Sequence, residues 1–205
     1  MGISILLNGC SSPDPATIHT IAIQPIGPCD SSELQFIRQE TSAFFHRPVI
    51  LLPNIDMPHS FLNLSKGERY SADSIIKYLA KTTNDTITQI VGFTHKDIFT
   101  TDKDAGGRIR EPKEKYAIWG IFGLGDCPGK ASVVSDYRLQ TSDPKKLQHR
   151  LRTVILHEIG HNIGLPHCPH PRCIMNDANE KIATVDNSAD DYCQACRRKA
   201  GLTIP

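Results

Sequence analysis

The segment His157-Glu158-Ile159-Gly160-His161-Asn162-Ile163-Gly164-Leu165-Pro166-His167 decides how the rest of the chain is read. His157 and His161 are four residues apart, so on a helix they stand on nearly one face, one turn apart, and can share one ion. Glu158 sits about 100° round the helix from His157, close to such an ion yet free of it. Gly164 accepts the left-handed backbone that ends a helix, which lets the chain turn and bring His167 back as a third ligand. Three neutral imidazoles leave one position open on a tetrahedral Zn2+, and an open position separates catalytic from structural zinc. A water there has its pKa lowered to about 7, and Glu158 is placed to take its proton and later hand it to a leaving amine. The string HExxHxxGxxH fixes enough positions that coincidence arises about once in a hundred thousand chains of this length. The competing reading is a solvent-facing helix with incidental His and Glu.

Upstream, Asp143 and Pro144 supply an N-cap and a first-turn proline, and Leu147, Leu151, Val154, Ile155 and Leu156 carry the helix to about Ile163. Residues 18–26 alternate and are β-branched, which predicts a first strand. Asp30 with Glu33 opens a helix whose Leu34, Ile37, Thr41 and Phe44 repeat at helical spacing. Residues 49–52 read as a short buried strand, 54–70 as a loop, and 86–93 as a third strand; Ser71 caps a helix through Ala80. Residues 95–115 read as a polar, exposed excursion. Residues 118–124 and Ala131–Ser135 are two further strands whose short link permits only antiparallel pairing. A last helix is expected over 190–199, with little regular structure before it. The pattern predicts an α/β fold with a mostly parallel, mixed sheet and one antiparallel edge.

The length of 205 residues suits one domain, or a core domain with a small lobe. With 23 basic against 22 acidic residues the formal charge is +1, which gives no nucleic-acid footprint and no polybasic membrane surface. No apolar run approaches the roughly 20 residues of a transmembrane helix. Residues 1–16 read as an N-terminal segment in which Leu7-Asn8-Gly9-Cys10 resembles the end of a truncated bacterial lipoprotein signal, with Cys10 as the lipid-anchor site and a linker after it. The stretch before Cys10 is short and has no Lys or Arg, so a cytoplasmic location is expected, with a lipid-anchored form in a bacterial cell envelope as the alternative. Of the cysteines, Cys10, Cys29 and Cys127 are scattered. Cys168, Cys173, Cys193 and Cys196 form two close pairs, readable as disulfides or as a thiolate zinc site.

At this point the chain resembles the archaemetzincins, a family of metzincin zinc metallopeptidases. That family continues the histidine string with a Cys directly after the last His, then CxM, then a distant CxxC. Here Cys168 follows His167, four residues separate it from Cys173, Ile174 precedes Met175, and seventeen residues lead to Cys193-Gln194-Ala195-Cys196. The match is dense over 157–196; upstream only fragments such as 92–97 and 135–139 look similar. The resemblance implies a twisted mixed β-sheet with an antiparallel edge strand, backed by helices, above a small zinc-stapled C-terminal lobe. It implies a catalytic domain over 17–205, with 17–164 as the upper part carrying the active-site helix and 165–205 as the lobe. It also implies that Met175 is the methionine of the turn under the catalytic zinc, and that Cys168, Cys173, Cys193 and Cys196 hold a second, structural zinc. Where some metzincins carry a Tyr two residues after this Met, the chain has Asp177, so no helper for the oxyanion is identified.

Hydrolysis of peptide bonds in a peptide or protein substrate is therefore the expected function, with two zincs per chain and a monomeric state. The rivals are a catalytically weak zinc protein that binds peptide termini, a hydrolase of a non-protein amide, and an interaction module stapled by both metals. Glu158 speaks against the binding and stapling options, because neither has use for a base beside an open metal position. The short link after residues 118–124 makes them the antiparallel edge strand, and the resemblance implies that this strand lies along the rim above the zinc helix, with Gly120 and Gly123 keeping the cleft face clear for an extended substrate.

Overall fold

The computed structural model describes residues 19–178 and 181–203, so the reading of residues 1–16 and of Cys10 lies outside the described residues. Parallel pairing of β1 (Thr20–Pro25) with both β2 (Val49–Leu51) and β5 (Ile87–Thr94) builds the centre of the principal sheet. β9 (Ala131–Ser135) adds parallel to β5, and β8 (Gly123–Gly125) closes the far edge antiparallel to β9, giving the order β2-β1-β5-β9-β8. The mixed sheet with its antiparallel edge is thus as expected.

Alternation along the strands sorts side chains onto two faces. Ile21, Ile23, Val91, Phe93 and Val134 pack on one side with α1 (Ser31–Phe45) and α4 (Pro144–Asn162). Ala22, Ile90, Ala131 and Val133 pack on the other with α2 (Ala72–Leu79). The helix starts follow from their caps: the Asp30 carboxylate accepts from the amides of Ser32 and Glu33, the Ser71 hydroxyl from that of Ser74, and the Asp143 carboxylate from those of Lys145 and Lys146. α4 stops at Asn162, and Gly164 takes φ 86°.

The second layer over α2 departs from the sequence reading. Residues 54–70 are not wholly loop: β3 (Leu62–Asn63) and β4 (Arg69–Ser71) pair there. The stretch 95–115 is not merely exposed, since β6 (Ile98–Thr100) buries Ile98 completely, and α3 (Lys113–Tyr116) follows. Residues 118–124 do not form one strand. β7 (Trp119–Ile121) pairs antiparallel with β6 in a four-stranded sheet of order β3-β4-β6-β7, and only beyond Phe122 does the chain join the principal sheet as β8. Strands of two or three residues are too short to show a period, which is why the pattern missed them. β2 is an edge strand, so Ile50 is 39% exposed where a buried strand was expected.

After α4 the C-terminal segment holds α5 (Ile182–Asp186), absent from the sequence reading, and α6 (Gln194–Lys199), which begins four residues later than expected because Cys193 is its N-cap. Arg150 of α4 ties this segment down. Its guanidinium donates to both Asp186 carboxylate oxygens, at 2.6 and 3.0 Å, and to the carbonyls of Leu139 and Gln140. No helix among the described residues is long and apolar enough to cross a membrane.

Candidate metal centres and the cleft between them

α4 and the turn at Gly164 bring His157, His161 and His167 together, with one ligand atom from each lying within 4.8 Å of the others. Two of the rings have fixed tautomers. His157 Nδ1 stands 2.7 Å from the Ile174 carbonyl and His161 Nδ1 stands 2.8 Å from the Leu165 carbonyl. A carbonyl only accepts, so both Nδ1 atoms carry hydrogen and both Nε2 atoms keep a free lone pair. Burial and mutual repulsion push His157 down to about 3, and burial pushes His161 down to about 4, so both are neutral at pH 7. His167 is half exposed and has Nδ1 3.6 Å from Asp177 Oδ2. Three converging imidazoles, two of them held neutral by burial, make a donor set that fits Zn2+.

Glu158 lies beside this cluster, 6% exposed, and burial alone raises its carboxyl to about 8. Its space is provided by β8. A Cβ on Gly123 would come within 2.7 Å of Glu158 Oε1, and one on Gly125 within 2.7 Å of the Glu158 carbonyl oxygen. These glycines therefore make room for the carboxylate. The sequence reading had assigned Gly120 and Gly123 to clearing the rim for substrate, but a Cβ on Gly120 would meet the guanidinium of Arg138 and one on Gly123 would meet Glu158. The signal available was the cluster of glycines in 120–125, whose purpose only the packing reveals.

Directly below α4, Met175 is fully buried, and its sulfur lies where a Cβ on Gly160 would come. Gly160 thus permits the close approach of helix and turn. The Tyr192 hydroxyl, also beneath Gly160, donates to the Leu156 carbonyl at 2.6 Å. Tyr192 stacks edge-on against Phe44, 4.9 Å between ring centroids, and so joins α1, α4 and the C-terminal segment; nothing in its sequence context suggested this.

Cys168, Cys173, Cys193 and Cys196 also converge, one sulfur from each within 4.8 Å of the rest, and none of the four is in a disulfide. Cys168 Sγ and Cys193 Sγ are 3.7 Å apart. Thiolates about 2.3 Å from a tetrahedral zinc stand about 3.8 Å from one another, so the spacing fits that ion. Burial pushes the Cys173 thiol up to about 11 and Cys196 further. For Cys193 burial also acts upward, but hydrogen bonds from the Cys196 amide and the neighbouring thiols outweigh it and bring the group down to about 7. His170 is exposed and stands outside this cluster.

The two clusters are mechanically joined. Cys173, Ile174 and Met175 are consecutive, the Cys168 amide donates to the Met175 carbonyl at 2.8 Å, and the Ile174 carbonyl receives the His157 ring. Above the histidines opens a cleft of about 490 Å³, bounded by Gly123, Leu124 and Gly125 of β8 and by Val154 of α4, with Asp102 and Arg110 also in its lining.

Comparison with known proteins places the chain among relatives of known family. The profile of Peptidase family M54 matches residues 44–201. The archaemetzincin of Methanocaldococcus jannaschii is 31% identical over 189 residues, spanning 89% of this chain and 93% of its own length. That of Pyrococcus abyssi is 29% identical, spanning 87% and 93%. Among solved structures, the archaemetzincin of Archaeoglobus fulgidus superposes with a TM-score of 0.71 at 26% identity, covering 88% of this chain and 99% of that one.

Proposed function

The chain belongs to peptidase family M54 and is a zinc metallopeptidase, and on that footing we propose that Glu158 is its general base, with the catalytic zinc held by His157, His161 and His167. A second, structural zinc is held by Cys168, Cys173, Cys193 and Cys196. Met175 is the turn methionine that floors the site by packing. The observation that carries this reading is the convergence of three histidines, two of them held neutral by burial, beside a buried carboxylate that β8 leaves room for.

Zinc bound among the histidines would supply a Lewis acid that polarises a scissile carbonyl and makes water easier to deprotonate. The residues of the chain do the rest. The Ile174 and Leu165 carbonyls hold the rings of His157 and His161 with Nε2 facing the site. Glu158 takes a proton from the attacking water and passes it to the leaving amine, which general acid–base catalysis makes worth about 10² to 10⁴ in rate. Its buried position favours the protonated form, which suits the second half of that cycle. β8 is the free edge of the principal sheet, so an extended peptide can add to it as one more strand and be held chiefly by main-chain hydrogen bonds.

The test is digestion of a peptide library by metal-quantified protein beside a Glu158→Gln variant. Activity should fall about 10³-fold while zinc content stays the same. Equal cleavage by both would reject Glu158 as the base, and no cleavage by the zinc-loaded wild type would return a peptide-binding role, or a different amide substrate, to first place.

A further inference from the structure

Three adjacent parallel strands end at a second group of ligating side chains, outside the lining of the cleft. His95 directly follows β5, Asp136 directly follows β9, and Glu33 sits in the first turn of α1, which follows β1. In sheets of parallel strands this carboxyl-end rim is where ligands are generally bound. We propose that Glu33, His95 and Asp136 form a further metal site, for a divalent cation of the first transition row.

Asp136 carries the case. It is 2% exposed, and one carboxylate oxygen, Oδ2, accepts from the Gln140 amide at 2.5 Å. The other, Oδ1, is buried with no hydrogen-bond donor. His95 Nδ1 is 2.9 Å from it, but off the line a ring N–H would need, and His95 Nε2 is 3.5 Å from Glu33 Oε2. The two distances involve different ring nitrogens and only one of these can bind a given ion, so a rotation of the His95 or Glu33 side chain brings the three donors to the separation of about 3.4 Å expected for ligands about 2.1 Å from a four-coordinate metal. One atom from each residue lies within 4.8 Å of the others.

Charge points the same way. Among the described residues neither Glu33 nor Asp136 pairs with Lys or Arg; His95 is their shared partner. Burial first, and then the Asp136 charge, push the Glu33 carboxyl up, and Cys29 on the same rim is pushed up by burial and by both carboxylates. One residue beyond Lys96 the chain treats a buried carboxylate differently: Asp97 receives Arg138 Nε at 2.7 Å and Nη2 at 2.9 Å. Two facing carboxylates with one imidazole lack such a counter-charge, and a dication supplies it. One imidazole nitrogen with two carboxylates suits zinc, cobalt or manganese better than calcium or magnesium, which prefer oxygen alone.

The test compares wild-type protein with His95→Gln and Asp136→Asn, each dialysed against the same micromolar free Zn2+, with metal counted per chain by mass spectrometry. Wild type should hold one equivalent more than either variant, added Zn2+ should raise the wild-type Tm but not theirs, and peptidase activity should match in all three. Because the readout is a difference, it does not depend on how many ions the other clusters hold. Equal zinc in wild type and His95→Gln overturns the proposal, leaving a histidine ion-paired between two carboxylates. His95 is partly exposed, so that variant decides the matter even where Asp136→Asn fails to fold.

Discussion

The histidine cluster and the cysteine cluster are built from neighbouring stretches of one chain, yet they differ in the property that matters most. The histidine donors come from a 19-residue helix and the turn after it, and the cluster faces a cleft, with His167 half exposed. The cysteine donors come from short loops and the start of a six-residue helix, and Cys173 and Cys196 are buried. Four sulfurs around one point leave no position for substrate; three imidazoles leave one. The difference teaches a division of labour. On the proposed assignment a zinc among the cysteines would fix the segment 173–175, and that segment supplies the carbonyl that orients His157 and the methionine beneath Gly160.

The hardest strain on this comparison is Cys173→Ala. If Cys173 ligates the proposed structural zinc, its loss should release that metal and, with it, the order of the C-terminal segment, because binding energy at a closed thiolate site is folding energy. Activity should be abolished although no histidine is touched, and limited proteolysis should cut within the lobe. A Cys173→Ala protein with normal turnover and an intact lobe would mean that the two centres are independent.

A smaller effect is expected from Gly123→Ala, which touches neither cluster. The added methyl would sit 2.7 Å from Glu158 Oε1 and must push the carboxylate aside. A shift of this kind costs about 10- to 100-fold in kcat, with zinc content and Tm near wild type. If turnover is unchanged, Glu158 is not the base whose position matters.

The smallest effect lies in the pair that ties α4 to the lobe. The Arg150 guanidinium holds the Asp186 carboxyl down to about 2, below its ordinary 3.8. A folded-state value below the unfolded one contributes stability that is present above about pH 4 and is lost as pH falls towards 2. That contribution is about 2 kcal/mol. Lys146 keeps its own contact with Asp186 at 3.0 Å, so Arg150→Met should lower stability at pH 7 by part of this amount and flatten the acid-unfolding curve between pH 4 and 2. A curve parallel to wild type across that window would contradict the assignment.

Much of this architecture was legible in the sequence, for physical reasons that can be named. Caps at Asp30, Ser71 and Asp143 are single residues with a specific hydrogen-bonding role, and β1, β5 and β9 are long enough to show their period. The His and Cys clusters were legible because ligand geometry imposes fixed spacings on helices and turns. What escaped notice depends on contacts between distant segments. The split of 118–124 at Phe122 is decided by two different pairing partners, β6 and β9. The glycines of β8 are explained only by the carboxylate that packs against them. Tyr192, Arg150 and the Glu33, His95 and Asp136 group join residues more than thirty-five positions apart, and no local pattern marks such meetings.

The central claim, that an open site performs the chemistry while a closed one holds the framework, is tested most directly by stepwise chelation of the purified enzyme. Zinc per chain, peptidase activity and circular dichroism would be followed together. In the His95→Gln protein, where the Glu33, His95 and Asp136 group takes no ion, the account predicts two zincs at the start, loss of activity with the first equivalent while the dichroism spectrum stays native, and loss of structure only with the second. Activity that survives removal of the first equivalent, or a fold that collapses with it, would contradict the account.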